Sequence, residues 1–291
     1  MSYRLFLFFK ELFLSCVTIG RVVVKSKWFI RFPQRKDSEN IIVLGNGPSL
    51  SVNLTRDLGV LEQHPVLCVN GFALSEAYEK IQPTYYVLAD GAFWADELPE
   101  KTRKFVSSTF DAIDQKTCWP MTLFLPAEGL HSFRRKNAAI FSNPYILVQE
   151  YNTTVLRGFK GLVHTLLQCN LGMLSRQNVL IPSLILAINM GYKRILLLGA
   201  DHSWHRNLFV TNDNLVCLKD DHFYDESQPP VTVMIGNRPS RLHEQFESLA
   251  KALRIYWEIA AYMQKKNAVI INASELSFID AFPRAKLYEL F

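Results

Sequence analysis

The sequence predicts an α/β domain built on a Rossmann-like, mostly parallel sheet flanked by helices. Three observations predict it. First, Ile41-Ile42-Val43-Leu44, apolar and mostly β-branched, runs straight into Gly45-Asn46-Gly47-Pro48-Ser49-Leu50. That is the pattern of a buried parallel strand ending in a tight turn. Second, two more short apolar runs, 65 to 69 and 84 to 89, stop in the same way, on Asn70-Gly71 and Asp90-Gly91. Third, a helical stretch over 180 to 190 leads through Gly191-Tyr192-Lys193 into Arg194-Ile195-Leu196-Leu197-Leu198-Gly199-Ala200-Asp201, an ordinary helix-to-strand connection. Ligands of open α/β sheets sit outside the carboxyl ends of the strands. Polar tips repeated on successive strands therefore point to one binding edge.

Taken in order, the chain opens with an unusual segment. Residues 5 to 19 are rich in Phe and Leu, interrupted by Lys10 and Glu11, and a basic flank follows at Arg21, Lys25, Lys27, Arg31, Arg35 and Lys36. A spanning helix wants about 20 predominantly apolar residues, which this stretch reaches only by counting the charged pair. Charges inside the apolar run, and no small-x-small cleavage site after it, argue against a secretory signal. Residues 1 to 36 read best as an amphipathic segment lying in a membrane interface, its basic residues on anionic headgroups. Residues 37 to 291 then form the Rossmann-like domain. Further strands are expected at 121 to 125, 145 to 148 and 268 to 274, with helices at 157 to 170 and 239 to 266. The stretch from 98 to 151 otherwise carries no clear period. Residues 203 to 238 hold the long insertion expected to act as a lid or binding loop, little of it periodic.

Composition narrows the function. Of the 291 residues 49% are hydrophobic and 20% charged, and the net charge is only +5, with much of the excess near the N-terminus. Nothing in the chain matches an RNA- or DNA-binding signature, so nucleic acid is not an expected partner. The five cysteines are scattered, odd in number and never paired as C-x-x-C, as in a chain that keeps its thiols reduced.

The turn at 45 to 50 lacks the third glycine of G-x-G-x-x-G and is not followed by Gly-Lys-Ser/Thr, so it is neither a dinucleotide fingerprint nor a P-loop. It offers backbone N–H groups, the Asn46 amide and the Ser49 hydroxyl. The densest titratable clusters are Asp201-His202 and Asp221-His222. Both residue types ligate metals, but neighbours on a strand face opposite ways and no H-E-x-x-H or D-x-D spacing occurs. The other reading makes one histidine a general base, since imidazole titrates near working pH.

The blocks Leu44-Gly45-Asn46-Gly47-Pro48-Ser49-Leu50, Cys68-Val69-Asn70 and Ala187 to Asp201 resemble bacterial sialyltransferases of the Campylobacter type. They also resemble related surface-polysaccharide proteins, named after the hydroxymethylpterin pyrophosphokinase and the flagellar accessory glycosyltransferases. The resemblance implies a single nucleotide-binding domain with a sialyltransferase-like variant of the GT-A fold. It implies an inverting, metal-independent glycosyltransferase using a CMP-activated sugar, of the sialic or Kdo class, with no cofactor. Gly45, Asn46, Gly47, Pro48, Ser49, Asn70 and Gly199 would cradle the nucleotide. Asp90 stands where the family has Asn, Arg176 matches its arginine, and Asn178-Val179 replace a Ser/Thr position. His202-Ser203-Trp204 replace tyrosines that grip the donor phosphate, a role Tyr224 would take from the loop.

His222 would be the catalytic base, with backbone N–H groups, hydroxyls and Arg176 or His202 stabilising the leaving nucleotide, and Asp201 counted with His222 and His202 among the catalytic residues. The implied partners are a glycan or lipid-linked glycan acceptor and the cytoplasmic face of the inner membrane. A homo-oligomer is compatible with all of this. Two competitors stay open: a Mg²⁺-dependent pyrophosphokinase using Asp90, Asp201, Asp220 and Asp221, and a non-catalytic nucleotide- or glycan-binding protein.

Overall fold

The apolar runs become strands because both of their faces are covered. A computed structural model describes residues 3 to 35, 38 to 176, 178 to 218, 230 to 236 and 238 to 291. Seven strands make the central sheet: β1 (Asn40–Leu44), β2 (Val66–Val69), β3 (Tyr85–Val87), β4 (Met121–Pro126), β5 (Ile146–Tyr151), β6 (Arg194–Leu198) and β7 (Val269–Asn272). Their order is β7-β6-β1-β2-β3-β4-β5, and every adjacent pair is parallel. In β1, Ile41 and Val43 join the core on one face while Ile42 and Leu44 join the core on the other. A strand buried on both faces has no polar side to alternate with, hence the unbroken apolar run.

Helices cover both faces. They are α1 (Tyr3–Lys25), α2 (Leu50–Arg56), α3 (Leu58–Gln63), α4 (Ala77–Ile81), α5 (Glu100–Lys116), α6 (Leu130–Lys136), α7 (Ala138–Ser142), α8 (Lys160–Gln168), α9 (Leu180–Asn189) and α10 (Leu242–Lys265). The chain builds outward from β1 to β5, then returns to lay β6 on the other side of β1 and β7 beyond it. The direction of winding therefore reverses between β1 and β6. At such a switch point the loops leaving two neighbouring strands turn to opposite faces and open a crevice.

The first helix is fastened by polar groups. Thr18 Oγ1 donates to the Arg157 carbonyl at 2.8 Å and accepts from the Arg157 N–H at 3.0 Å, and Ser15 Oγ accepts from the Phe159 N–H at 3.0 Å. Gly158, at φ 109°, allows this approach, because a Cβ there would lie 2.2 Å from Ser15 Oγ. Past the helix, Ser26 Oγ bonds Thr154 and the Leu171 carbonyl, and the Asn152 side chain bridges the N–H and C=O of Lys27. Among the described residues no helix is long and apolar enough to cross a membrane.

The insertion after β6 is more regular than its sequence suggests. Leu208–Val210, Val216–Leu218 and Val231–Thr232 form a small antiparallel sheet, and Met234–Ile235 pairs with Arg238–Pro239. Strands of two or three residues are too short for periodicity to declare them. The stretch 98 to 151 holds α5, two short helices and the two strands expected there, β4 and β5. A 3₁₀ turn, Leu287–Glu289, lies near the end of the chain.

Below the sheet edge, Tyr86 ties β3 to the tip of β2. Its hydroxyl donates to the Asn70 carbonyl at 2.5 Å and accepts from the Ala73 N–H at 2.9 Å. Tyr86→Phe keeps the ring and strands a buried N–H, so it should lower unfolding free energy by about 1–3 kcal/mol. Urea denaturation of wild type and variant measures it, and an unchanged midpoint would show that the hydroxyl does not hold the tip.

Candidate functional site

Two turns meet at the switch point, and backbone bonds carry the sheet one step further. Gly45 N–H donates to the Leu198 carbonyl at 2.8 Å, and Gly47 N–H donates to the Gly199 carbonyl at 2.9 Å. The turns approach so closely that side chains are excluded. A Cβ on Gly45 would sit 2.4 Å from the Gly199 oxygen, and one on Gly47 would sit 2.4 Å from Asp201 Oδ1. Gly199 itself takes φ 60°, a conformation glycine adopts without penalty.

Asp201 locks the two turns together. Its Oδ2 accepts from the Ser49 N–H at 2.9 Å and its Oδ1 from the Ser49 hydroxyl at 2.5 Å. Burial pushes the carboxyl above the usual range, against the two Ser49 bonds that favour its charged form. The backbone around it is held from β7's side. Ser274 Oγ accepts from Ala200 N–H, Ser277 Oγ donates to the Ala200 carbonyl, and Phe278 N–H donates to the Asp201 carbonyl.

His202 follows at φ 52°, a left-handed conformation uncommon for residues with a Cβ. This turns its ring back into the protein. Nε2 lies 2.7 Å from the Tyr256 hydroxyl and 2.8 Å from Asn178 Nδ2, and Trp204 stacks on the ring at 4.4 Å between centroids. Burial holds the imidazole pKa down at about 3, so the ring is neutral at physiological pH. Asn178 also caps α9, its Oδ1 accepting from the Leu180 N–H at 2.9 Å. One amide thus orients the histidine and the start of a helix whose N-terminus, the positive end of its dipole, borders the cleft at Val179 and Leu180.

The strand tips complete the wall. Asn46 Nδ2 donates to the Val69 carbonyl at 3.1 Å. Its Oδ1 is buried and has no partner among the described residues, an arrangement that costs free energy. Asn70, at φ 46°, also lies in the left-handed region. Asp90 caps the short turn after β3, Oδ1 accepting from Ala92 N–H at 2.9 Å. Arg176 makes a forked ion pair with Glu128, at 3.1 and 3.0 Å, and its Nε donates to the Thr153 carbonyl.

Of the residues singled out from sequence, Gly45, Asn46, Gly47, Pro48, Asn70, Asp90, Asn178, Gly199, Asp201, His202 and Ser203 line one cleft of about 290 Å³. Ser49 stands behind it, bound to Asp201. Arg176 lines an adjoining compartment of about 240 Å³ that shares Asn70, Asp90 and Val179 with the first. Asp220, Asp221, His222 and Tyr224 lie outside the described residues. Among the described residues no three His, Cys, Asp or Glu side chains come together as a metal site. Sequence reasoning passed over Tyr256, Asn207 and Glu128. Tyr256 sits in the apolar stripe of α10, where an aromatic reads as core, and neither Asn207 nor Glu128 belongs to any motif.

No protein-family description matches the chain, and no curated protein does. Among solved structures the chain is similar to the MAf glycosyltransferase from Magnetospirillum magneticum AMB-1. The identity is 10% and the TM-score 0.48, over 96% of this chain and 38% of that one. The chain thus spans little more than a third of that protein's length. Nothing about donor or acceptor follows from it.

A histidine with a depressed folded pKa has a definite pH signature. The unfolded chain takes up the proton below about pH 6.5, whereas the folded ring takes it up only near 3. Stability present at neutral pH is therefore lost progressively as pH falls from about 6.5 towards 3. Urea midpoints at pH 7 and pH 5 should fall further apart in wild type than in His202→Gln. Equal differences would mean the ring is not held neutral. Comparing the two proteins cancels Asp201, whose raised pKa acts with the opposite sign.

Proposed function

We propose that this chain is a glycosyltransferase that binds a CMP-activated sugar in the switch-point cleft. It passes the sugar, with inversion, to a hydroxyl of a glycan or lipid-linked glycan in surface-polysaccharide synthesis. The observation that carries the reading is the place of the Gly-Asn-Gly-Pro-Ser turn. It lies in the crevice where an α/β sheet binds nucleotides, with the buried Asn46 Oδ1 awaiting a donor. A ribose hydroxyl or the exocyclic amino group of cytosine supplies one, whereas uracil carries a carbonyl at that position. Beside Asn46 the wall carries the amides of Asn70 and Asn178, the Ser203 hydroxyl and the Trp204 ring, suited to a base and a ribose, together with the carboxyl groups of Asp90 and Asp201.

The phosphate needs positive potential. The N-terminus of α9 offers it, as does Arg176 in the adjoining compartment, whose charge Glu128 partly offsets. Asp201 turns both oxygens to Ser49, whose N–H and hydroxyl donate to them. That occupation disfavours Asp201 as a Mg²⁺ ligand in the pyrophosphokinase reading. In the transfer, the acceptor hydroxyl attacks the anomeric carbon and its proton passes to the His222 imidazole, following the resemblance. The bond from that carbon to the phosphate oxygen breaks, and CMP leaves with the electron pair.

A thermal-shift screen tests the nucleotide. CMP or CTP should stabilise the chain by ~2.7 kcal/mol at 100 times the dissociation constant, with AMP, UMP and GMP well behind, and Asn46→Ala should weaken CMP binding about tenfold. Equal shifts from all nucleotides would overturn the CMP assignment. CMP release from a CMP-sugar in EDTA supports transfer, while strictly Mg²⁺-dependent AMP release from ATP supports the kinase.

His222→Ala should lower kcat by about 10²-fold or more while leaving the CMP shift in place. Full activity in that variant would remove the base assignment.

A further inference from the structure

α1 is amphipathic in the reverse sense for a packed helix. The buried positions are Ser15, Thr18 and Val22, and two of those three are the hydroxyls that fasten it to the domain. The opposite side is hydrophobic and bare: Phe6, Phe9, Phe13 (67% exposed) and Val24 (81%) follow one another along it. The turn beyond the helix presents Trp28 and Phe29. Phe29 is held at φ 66° with 89% of its surface exposed, a strained conformation for a bulky side chain. An apolar ridge of this length is not left to water in a soluble monomer without a partner.

Charge identifies the partner. The first 36 residues hold eight Lys and Arg against one acid, Glu11, so they carry +7 while the remaining 255 carry −2. Helical spacing puts Lys10, Arg21 and Lys25 on one flank of the ridge. Lys10 also lines a groove of about 720 Å³ between α1, α8 and α10, where Arg157, Lys160 and Arg254 gather around Glu11 and Glu258. We propose that α1 lies in the interface of an anionic bilayer, its phenylalanines in the acyl boundary and its basic flank and groove on headgroup phosphates. A second copy of the chain would gain nothing from meeting so much like charge. The inference rests on the helix and the groove beside it and stands apart from the chemistry of the cleft.

Co-sedimentation of the full chain with vesicles tests it, using phosphatidylcholine alone and phosphatidylcholine with 30% phosphatidylglycerol. Binding should be at least tenfold stronger to the anionic vesicles and should fall in 0.5 M NaCl. Phe6→Ser/Phe9→Ser/Phe13→Ser should abolish it, and Arg21→Glu/Lys25→Glu should reduce it about tenfold or more. These side chains are all exposed, so the melting temperature should not move. Absent binding, or equal binding to both vesicles, overturns the proposal. So does self-association lost in the triple variant without vesicle binding, which would make a second copy the occupant.

Discussion

The site depends on a contact between two pieces of backbone. Where β1 and β6 end, Gly45 and Gly47 lie against Gly199 so closely that no Cβ fits at 45 or 47. The sheet's hydrogen bonding continues through them into the turns. This contact sets the floor of the cleft, and because backbone makes it, the floor cannot relax by rotamer change. It also explains why Asp201 and Ser49 find each other across 152 residues of sequence. Once the glycines bring the turns together, a carboxylate at 201 has two donors in front of it and little water around it. Burial without those donors would be costly, and with them it fastens one turn to the other.

Around that floor the cleft is held by groups that bond to each other. The His202 ring is kept neutral by burial and oriented by Asn178 and Tyr256, and Asn178 also caps α9. A shift in any of the three therefore moves both the ring and the helix end beside the cleft. His202 and Asn70 both sit at positive φ on the cleft wall. Asparagine tolerates that region, whereas histidine is held there by its surroundings. Asn46 differs, since its amide nitrogen is bonded within the protein and its oxygen is not.

Much of this was legible in the sequence because the parallel sheet writes its pattern locally. Runs such as Ile41 to Leu44 and Ile195 to Leu198 are apolar throughout, having two buried faces, and each ends where the chain must turn. The polar tips at 46, 70, 90 and 201 could be read as converging because parallel strands share one carboxyl edge. The partners that orient those tips could not. Tyr256 lies in the apolar stripe of a long helix, and nothing in a 3.6-residue period separates a hydroxyl bonded to His202 from one more core aromatic. Glu128 reaches Arg176 from a turn beyond β4 with no local signature. The short antiparallel strands at 208 to 210 and 216 to 218 fail for a related reason, since three residues are fewer than alternation needs to show itself.

The first helix marks the limit of such reading most clearly. Its composition of Phe, Leu and Val announces amphipathicity, and a period of 3.6 gives the angle between its faces. The basic flank argues for an interfacial helix, but neither signal says which side chains fasten it to the domain. For a helix in a globular core the apolar side faces the protein, because burying it is the main source of its stability. Here the choice is made by Ser15, Thr18 and Ser26 meeting the backbone between Asn152 and Leu171. It is reinforced at Gly158, where the chain comes too near for a side chain. Hydrogen bonds of this kind contribute about a kilocalorie each, far less than the phenylalanines would gain by burial. With its apolar face in water, the helix forgoes that burial term.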